Sequence, residues 1–93
     1  MNNARNITEW TQLVMLRDDF TCQFPGCGQN HNLDAAHIIS RRANRDLALF
    51  VPNGVTLCRL HHDHLHRHPQ EWRAFIALVI QQRIDGYATV ATA

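Results

Sequence analysis

Apolar residues in the first part of the chain recur at the three- and four-residue spacing of an amphipathic helix. The stripe consists of Ile7, Trp10, Leu13 and Val14, with Arg17 continuing the spacing. Just before it, Asn6 is followed three positions later by Glu9, a combination that is typical of a helix N-terminus. The pattern therefore predicts a first helix over residues 6–18.

A second apolar stripe with helical spacing occupies the last third of the chain. Its members, which we interpret as core residues, are Trp72, Phe75, Ile76, Val79 and Ile80. Pro69 suits the first position of a helix, and Gly86 is a typical residue for its end. The sequence predicts a helix over residues 69–85, followed by a flexible tail over residues 86–93.

Between these helices the pattern changes to short apolar runs separated by turn residues. Residues 33–40 (LDAAHIIS) and 47–51 (LALFV) each predict an extended segment. The sequence Pro-Asn-Gly at 52–54 predicts a turn. After it, VTLC leads into a helix that carries most of the histidines. That helix should end near His68, because the following proline disfavours helical backbone in the residue before it.

Length and composition favour one small domain over residues 1–93. The predicted helices and extended segments make it an α+β domain, in which the first and last helices flank a core at about residues 20–68. No apolar run approaches the roughly 20 residues of a membrane span, and the first residues lack the pattern of a secretory signal. We therefore expect a soluble, cytoplasmic protein. A chain of this size buries only a modest core, so a bound metal ion would help to stabilise it.

Three cysteines and one histidine form two close pairs, which is the usual arrangement of a structural zinc site. Cys22 and Cys27 flank a Pro-Gly turn, whereas two residues separate Cys58 from His61. Four sulfur and nitrogen ligands suit tetrahedral Zn²⁺, so we predict that these residues bind it. A Cys22–Cys27 disulfide and inert buried thiols are the alternatives, and a reducing compartment disfavours the disulfide. His31 and His64 could substitute as ligands, but we interpret both as surface residues.

A second group of polar residues forms another candidate site. His62 and His66 are four residues apart and would share one face of the predicted helix, where such a pair can hold a divalent metal. Upstream of this pair, His37 lies in the first extended segment and Asn53 lies in the predicted turn.

The segments AHI (36–38), PNGVTLC (52–58) and HH (61–62) together resemble the ββα-metal module, or His-Me finger, of HNH endonucleases. The resemblance runs from Cys22 to His66 and includes the zinc knuckle that many phage and bacterial members fold around the site. Its most specific part is the pattern Asn-x-x-x-Leu-Cys-x-x-(Cys/His)-His, which begins at Asn53 and ends at His62. The resemblance implies a small zinc-stapled ββα-metal domain with flanking N- and C-terminal helices.

The resemblance implies a metal-dependent endonuclease that nicks or cuts duplex DNA. It assigns His37, Asn53 and His62 to the three letters of the family name, and His66 to an additional ligand position. His37 is our candidate general base, because a neutral imidazole can take a proton from water near pH 7. A divalent ion (Mg²⁺, Mn²⁺ or Ni²⁺) would be held by His62, His66 and Asn53, although Asn53 could instead fix the loop that holds His37. We also expect a carbonyl partner that sets the tautomer of His37.

One position departs from the family pattern. Many members carry Asp or His immediately before the strand histidine, whereas this chain has Ala36, which cannot bind a metal. Asp34 shares a strand face with Ala36, about 6.6 Å further along, and is a candidate replacement ligand. The departure supports an alternative interpretation, a zinc-stapled DNA-binding or adaptor module that has lost catalysis. A zinc-storage or scaffold domain with incidental histidines is the third interpretation.

Arginine supplies all of the basic side chains other than histidine, and the net charge is only +1. Arginine is well suited to bidentate phosphate contacts. The candidate DNA contacts are Arg41, Arg42, Arg45, Arg59 and Arg67. A solvated charged face is the alternative interpretation of these arginines.

The resemblance also implies partners. We expect DNA, and a phage packaging protein or other DNA-processing protein, to bind this chain. We expect the chain itself to be a monomer or a weak dimer.

Overall fold

The structure, a computed structural model, describes residues 3–92, and it describes side chains for residues 3–83. Within residues 3–92 there are three α-helices and a two-stranded antiparallel sheet, which confirms the α+β class. In chain order the elements are helix α1 (Ile7–Arg17), strand β1 (Leu33–His37), strand β2 (Gly54–Cys58), helix α2 (Arg59–Arg67) and helix α3 (Pro69–Thr92). The chain divides into two compact units, Met1–Asp63 and His64–Ala93. A single domain over residues 1–93 stays a prediction.

Helix α1 begins where the sequence predicts. The side chain of Asn6 accepts a hydrogen bond of 2.9 Å from the backbone N–H of Glu9, which satisfies one of the free donors at the helix start. Trp10 and Val14 are buried. By contrast, Ile7 and Leu13 belong to the predicted stripe, but each is more than a third exposed. The buried stripe of α1 is therefore narrower than the sequence indicated.

Strand β1 pairs with β2 in antiparallel register, from Leu33 opposite Cys58 to His37 opposite Gly54. The prediction of an extended segment over residues 47–51 is wrong. Arg45–Leu47 and Val51–Asn53 form short 3₁₀ turns, and only Phe50 makes an isolated bridge, to Asn3. The proline inside the second turn fixes φ and has no N–H to donate to a sheet, so the sheet partner of β1 comes from the β-branched residues after the turn.

Helix α1 packs closely against the start of β2. A Cβ atom added at Gly54 would lie 2.7 Å from the Trp10 ring and closer still to a methyl group of Val14. Only glycine therefore permits this approach of the helix to the strand. Residues that complete the small core around Trp10 and Val14 are Ala4, Ala35, Leu49 and Val51.

The second unit contains the end of α2 and all of α3. Phe75 and Val79 are buried, whereas Ile80 is exposed, so the predicted stripe is buried only in part. The prediction that Gly86 ends the last helix is wrong, because α3 continues to Thr92. A glycine inside a helix costs only about 1 kcal/mol relative to alanine, and no proline follows it here. Ala93, the last residue of the predicted tail, lies outside the described residues. Among the described helices, none has the length and apolar character needed to cross a membrane.

Candidate metal centre and active site

The four residues of the predicted zinc site come together in the structure. The ligand atoms of Cys22, Cys27, Cys58 and His61 all lie within 4.8 Å of one another. His61 Nδ1 is 3.2 Å from the sulfur of Cys58 and 3.7 Å from that of Cys22, and the sulfurs of Cys27 and Cys58 are 4.0 Å apart. Thiolates bound at about 2.3 Å to one tetrahedral ion would be about 3.8 Å apart. The cluster therefore has the dimensions needed to hold a metal ion.

Local backbone geometry brings the first two cysteines together. The N–H of Cys22 donates to the Gln29 carbonyl at 2.8 Å, and the N–H of Cys27 donates to the Phe24 carbonyl at 3.0 Å. Gly26 and Gly28 have φ values of +82° and +68°, in the left-handed region that favours glycine. The Phe24 ring also stacks on the fourth ligand, with its centroid 4.1 Å from that of the imidazole. The turn residues on both sides of Cys27 thus shape the cluster, and the Phe24 ring covers one of its ligands.

All three cysteines are free thiols in the structure, so the disulfide alternative is not observed. Burial raises the pKa of the Cys22 thiol to about 11. A hydrogen bond from the Gln29 backbone lowers the pKa of Cys27. A metal binds the thiolate form, so binding would require Cys22 to release its proton to solvent.

His37 ends strand β1 and is held on two sides. Its Nε2 atom lies 2.9 Å from the carbonyl oxygen of Ala48. Because a carbonyl can only accept, Nε2 carries the proton, and the Nδ1 of a neutral ring is left with a lone pair. The ring stacks on Trp10, with centroids 3.9 Å apart and planes 8° from parallel. Ala48 is the carbonyl partner that the sequence could not name, and the contact with Trp10 was not predicted.

Asn53 is buried, and its side-chain amide bonds to both sides of the loop after β1. Its Oδ1 accepts from the Ile39 N–H at 2.8 Å, while its Nδ2 donates to the Ile39 carbonyl at 3.0 Å and to the Leu47 carbonyl at 3.1 Å. These bonds tie the loop together on either side of Ser40–Asp46. They account for the loop-fixing role considered for Asn53, whereas its role as a metal ligand stays a prediction.

His62 lies against the carboxylate of Asp34. The Nδ1 atom of His62 is 3.0 Å from Oδ2 of Asp34, and the other carboxylate oxygen accepts from Arg59 at 3.0 Å. Asp34 and Ala36 lie on one face of β1, and Ala36 is only 2% exposed. Asp34, the candidate replacement ligand, therefore contacts His62, one of the predicted metal ligands.

The remaining predicted ligands are not gathered by the structure into a larger cluster. His66 is exposed and belongs to the second unit. Within the part of the chain whose side chains are described, two groups place three or more ligand atoms close together, and neither contains His37, His62 or His66. One is the Cys/His cluster, and the other consists of His64, His68 and Glu71. The catalytic metal site of His62, His66 and Asn53 stays a prediction.

The candidate DNA-binding arginines are all exposed. Arg41 and Arg42 lie in a turn directly after β1, where the Ser40 carbonyl accepts from the backbone N–H groups of residues 43 and 44. Arg59 pairs with Asp34, as described above. Arg45 begins the first 3₁₀ turn, and Arg67 ends helix α2. Their contacts with DNA stay predictions.

Comparisons of the chain with protein-family models, with curated proteins and with solved structures find no match.

Proposed function

We propose that this protein is a metal-dependent endonuclease that hydrolyses phosphodiester bonds in DNA, with a zinc-stapled ββα-metal domain of the HNH type. The observation that carries the proposal is the orientation of His37, which has one ring nitrogen bonded to the Ala48 carbonyl and the other left as a proton acceptor. The order β1, β2, α2 and the antiparallel pairing of the two strands agree with a ββα arrangement.

In this proposal His37 is the general base. Its Nδ1 atom accepts the proton of the water that attacks the scissile phosphorus, while the bond to Ala48 keeps the ring in one tautomer. Proton transfer of this kind contributes about 10²–10⁴-fold to a rate, but only when the base is held in place. The Trp10 ring on one face, and the loop fixed by Asn53, supply that support.

In this proposal His62 is a ligand of the divalent metal. Because Asp34 accepts from Nδ1 of His62, the proton stays on that nitrogen and Nε2 is left free as a metal ligand. Histidines that bind metals usually donate their other ring N–H to a carboxylate or carbonyl in this way. The contact therefore supports a positioning role for Asp34, with His66 and Asn53 as the other proposed ligands. When bound, Mg²⁺, Mn²⁺ or Ni²⁺ would supply Lewis-acid stabilisation of the phosphate and of the leaving oxygen.

We also propose that the Cys/His cluster binds zinc. Three thiolates and one imidazole form a ligand set that is typical of structural zinc, and soft sulfur ligands do not suit Mg²⁺ or Ca²⁺. The cluster joins the turn after α1 to the end of β2 and the first turn of α2. A zinc ion there would hold these three segments in place around the proposed active site.

The exposed arginines after β1 are the proposed contacts with the DNA backbone. Arg41 and Arg42 follow the strand that carries the base, in the loop that Asn53 fixes. Contacts with phosphate position a duplex without reading its sequence. We therefore propose low intrinsic sequence specificity.

The second candidate function is a zinc-stapled DNA-binding or adaptor module without catalysis. Ala36 favours it, because a buried methyl group occupies the position where many HNH enzymes carry a metal-binding side chain. The two functions share the zinc cluster and the arginines. They differ in whether His37 performs chemistry.

A plasmid relaxation assay separates the two. Purified zinc-loaded protein would be incubated with supercoiled DNA in Mg²⁺, Mn²⁺ or Ni²⁺, or without added divalent metal. We expect nicking that depends on the added metal and that falls by about 10²-fold or more in His37→Ala.

The matched control is His31→Ala, which removes an exposed histidine outside the proposed site. It should cut at the parental rate, and both variants should keep their zinc and bind DNA as the parent does. If the parent binds DNA but does not cut it in any metal, or if His37→Ala cuts as fast as the parent, the endonuclease proposal is wrong.

A further inference from the structure

Three exposed side chains in the second unit converge around the junction of helices α2 and α3. The Nε2 atom of His64 lies 2.7 Å from Oε2 of Glu71, and Nδ1 of His68 lies 3.8 Å from the same oxygen. One ligand atom from each residue lies within 4.8 Å of the others. The two imidazole rings stack, with centroids 4.1 Å apart and planes 21° from parallel.

The chain sequence at this junction explains the convergence. His64 and His68 are four residues apart, which places them on one side of a helical turn. Pro69 lacks an N–H and begins α3, and the carbonyl of His68 accepts from the Trp72 N–H at 2.9 Å, as the residue before a new helix does. Glu71 therefore lies in the first turn of α3, within reach of both histidines.

The orientation of His68 resembles that of a metal ligand. Its Nδ1 atom lies 2.7 Å from the backbone carbonyl of His64, so this nitrogen carries the proton and Nε2 presents its lone pair. A hydrogen bond from the non-ligating nitrogen to a carbonyl is the usual arrangement behind a metal-bound histidine. On His64, a metal ion would replace the proton that Nε2 now shares with Glu71.

We propose that His64, His68 and Glu71 form a second metal site, for a divalent transition ion of the Zn²⁺, Ni²⁺ or Cu²⁺ group. Two imidazoles and one carboxylate suit these ions, whereas Mg²⁺ and Ca²⁺ prefer oxygen ligands alone. Three protein ligands leave one or more positions for water. All three side chains are about half exposed, at 45%, 51% and 56%, so the ion can enter and leave from solvent.

This site differs from the Cys/His cluster in strength and in role. It has no thiolate ligand, it is exposed, and its residues come from one short segment, so it should bind more weakly and exchange its ion readily. The inference does not rest on the proposed nuclease function, because none of its three residues belongs to that site.

The test is a titration of the full-length, zinc-loaded protein with Ni²⁺. Calorimetry measures the binding, and the paramagnetic broadening of histidine ring signals in NMR spectra shows which histidines the ion approaches. It is carried out in a His62→Ala background, so that the proposed catalytic metal does not contribute. We expect Ni²⁺ to bind beyond the structural metal and to broaden the signals of His64 and His68 first. Adding His68→Gln should weaken that binding by more than about tenfold, and Glu71→Gln should also weaken it.

The matched control adds His31→Gln to the same background, which removes an exposed histidine elsewhere and should leave Ni²⁺ binding unchanged. Circular dichroism and zinc content verify that each variant remains folded. The proposal is overturned if Ni²⁺ does not bind, or if it binds equally well after His68→Gln and Glu71→Gln. In either case His64, His68 and Glu71 interact only with one another and do not form a metal site.

Discussion

The imidazole of His37 lies flat against the indole of Trp10, 3.9 Å away between ring centroids. Among the described side chains, Trp10 is also the largest that is fully buried, and its Nε1 donates to the Phe50 carbonyl at 3.0 Å. The residue at the centre of the core is thus the residue that holds the proposed base. Stability and activity should therefore change together when this contact is disturbed.

Gly54→Ala disturbs the contact between Trp10 and His37 from the neighbouring strand, β2. The added Cβ would meet both Trp10 and Val14, and His37 is paired with Gly54 across the sheet. We expect overpacking to lower the free energy of unfolding by about 1–3 kcal/mol and to reduce cleavage as Trp10 moves. Urea denaturation and the plasmid assay measure the two effects.

Gly28→Ala is the matched control for that prediction. A Cβ there meets nothing within 4 Å, but φ is +68°, so the cost should be about 1–2 kcal/mol of backbone strain. It should not change cleavage once the protein is folded and metal-loaded. Parental activity in Gly54→Ala would contradict the coupling between Trp10 and His37.

Asn53→Asp distinguishes a loop clamp from a metal ligand. A carboxylate cannot donate to the carbonyls of Ile39 and Leu47, and it would be charged in a buried position. We expect the free energy of unfolding to fall by about 2–4 kcal/mol, together with lower cleavage at every metal concentration.

The control for this change is Asn44→Asp. The Asn44 side chain only accepts, from the Asp46 N–H, and an aspartate can do the same, so stability should change little. If Asn53 is mainly a metal ligand, Asn53→Asp should instead bind the divalent ion more tightly, because Mg²⁺ and Mn²⁺ prefer carboxylate oxygen. Tighter metal binding with parental stability would contradict the clamp.

Local rules were sufficient for the parts of the fold that depend on neighbours in sequence. The Asn6 cap, the start of α3 at Pro69 and the two ligand pairs of the Cys/His cluster each follow from spacings of five residues or fewer. The errors arose where a local preference competes with context. The LALFV segment has strand-like composition, yet the adjacent proline and turn geometry exclude it from the sheet. Gly86 is a typical helix end, but α3 tolerates it.

Sequence patterns could not predict the contacts that define the proposed active site, because each contact joins residues that are far apart in sequence and meet only in the folded chain. Asp34 meets His62 because β1 pairs with β2 in one particular register and α2 follows directly. Ala48 meets His37 through a backbone carbonyl, which has no sequence signal. The helical stripe predicted from the sequence includes Trp10, but no spacing in the sequence indicates that its ring stacks on His37.

Adjacent histidines on α2 provide an internal comparison for the two metals. His61 belongs to the Cys/His cluster, whereas His62 contacts Asp34. We expect His61→Ala to lose most of the bound zinc and several kcal/mol of stability, because structural zinc sites contribute folding energy directly. His62→Ala should keep about one equivalent of zinc and its fold while losing cleavage. Equal zinc content in the two variants, measured by elemental analysis, would show that the cluster does not hold the ion.

Arg41→Ala combined with Arg42→Ala should weaken binding to duplexes of every sequence. Each lost phosphate contact removes about 0.9 from the slope of log affinity against log salt, so the double variant should flatten that slope by about 1–2. The control double variant, Arg5→Ala with Arg73→Ala, removes the same charge from exposed positions elsewhere. Fluorescence anisotropy over a salt series measures both, and equal slopes for the two double variants would place the DNA contact outside the β1 loop.

Asp34→Ala tests whether the carboxylate positions His62, the proposed metal ligand. Without it, nothing fixes the proton of His62 on Nδ1, so Nε2 is no longer held ready as a ligand. Loss of such a partner typically lowers metal affinity by about 10–100-fold. The metal concentration for half-maximal cleavage should rise by that factor, while the rate at saturating metal stays near the parental value.

Two further variants are the controls for this prediction. Asp34→Asn, whose amide oxygen can still accept from His62, should restore part of the affinity for the metal. Arg59→Gln removes the other partner of Asp34 and should leave the metal dependence unchanged. A parental metal dependence in Asp34→Ala, with zinc and fold intact, would mean that His62 binds its metal without help from the strand.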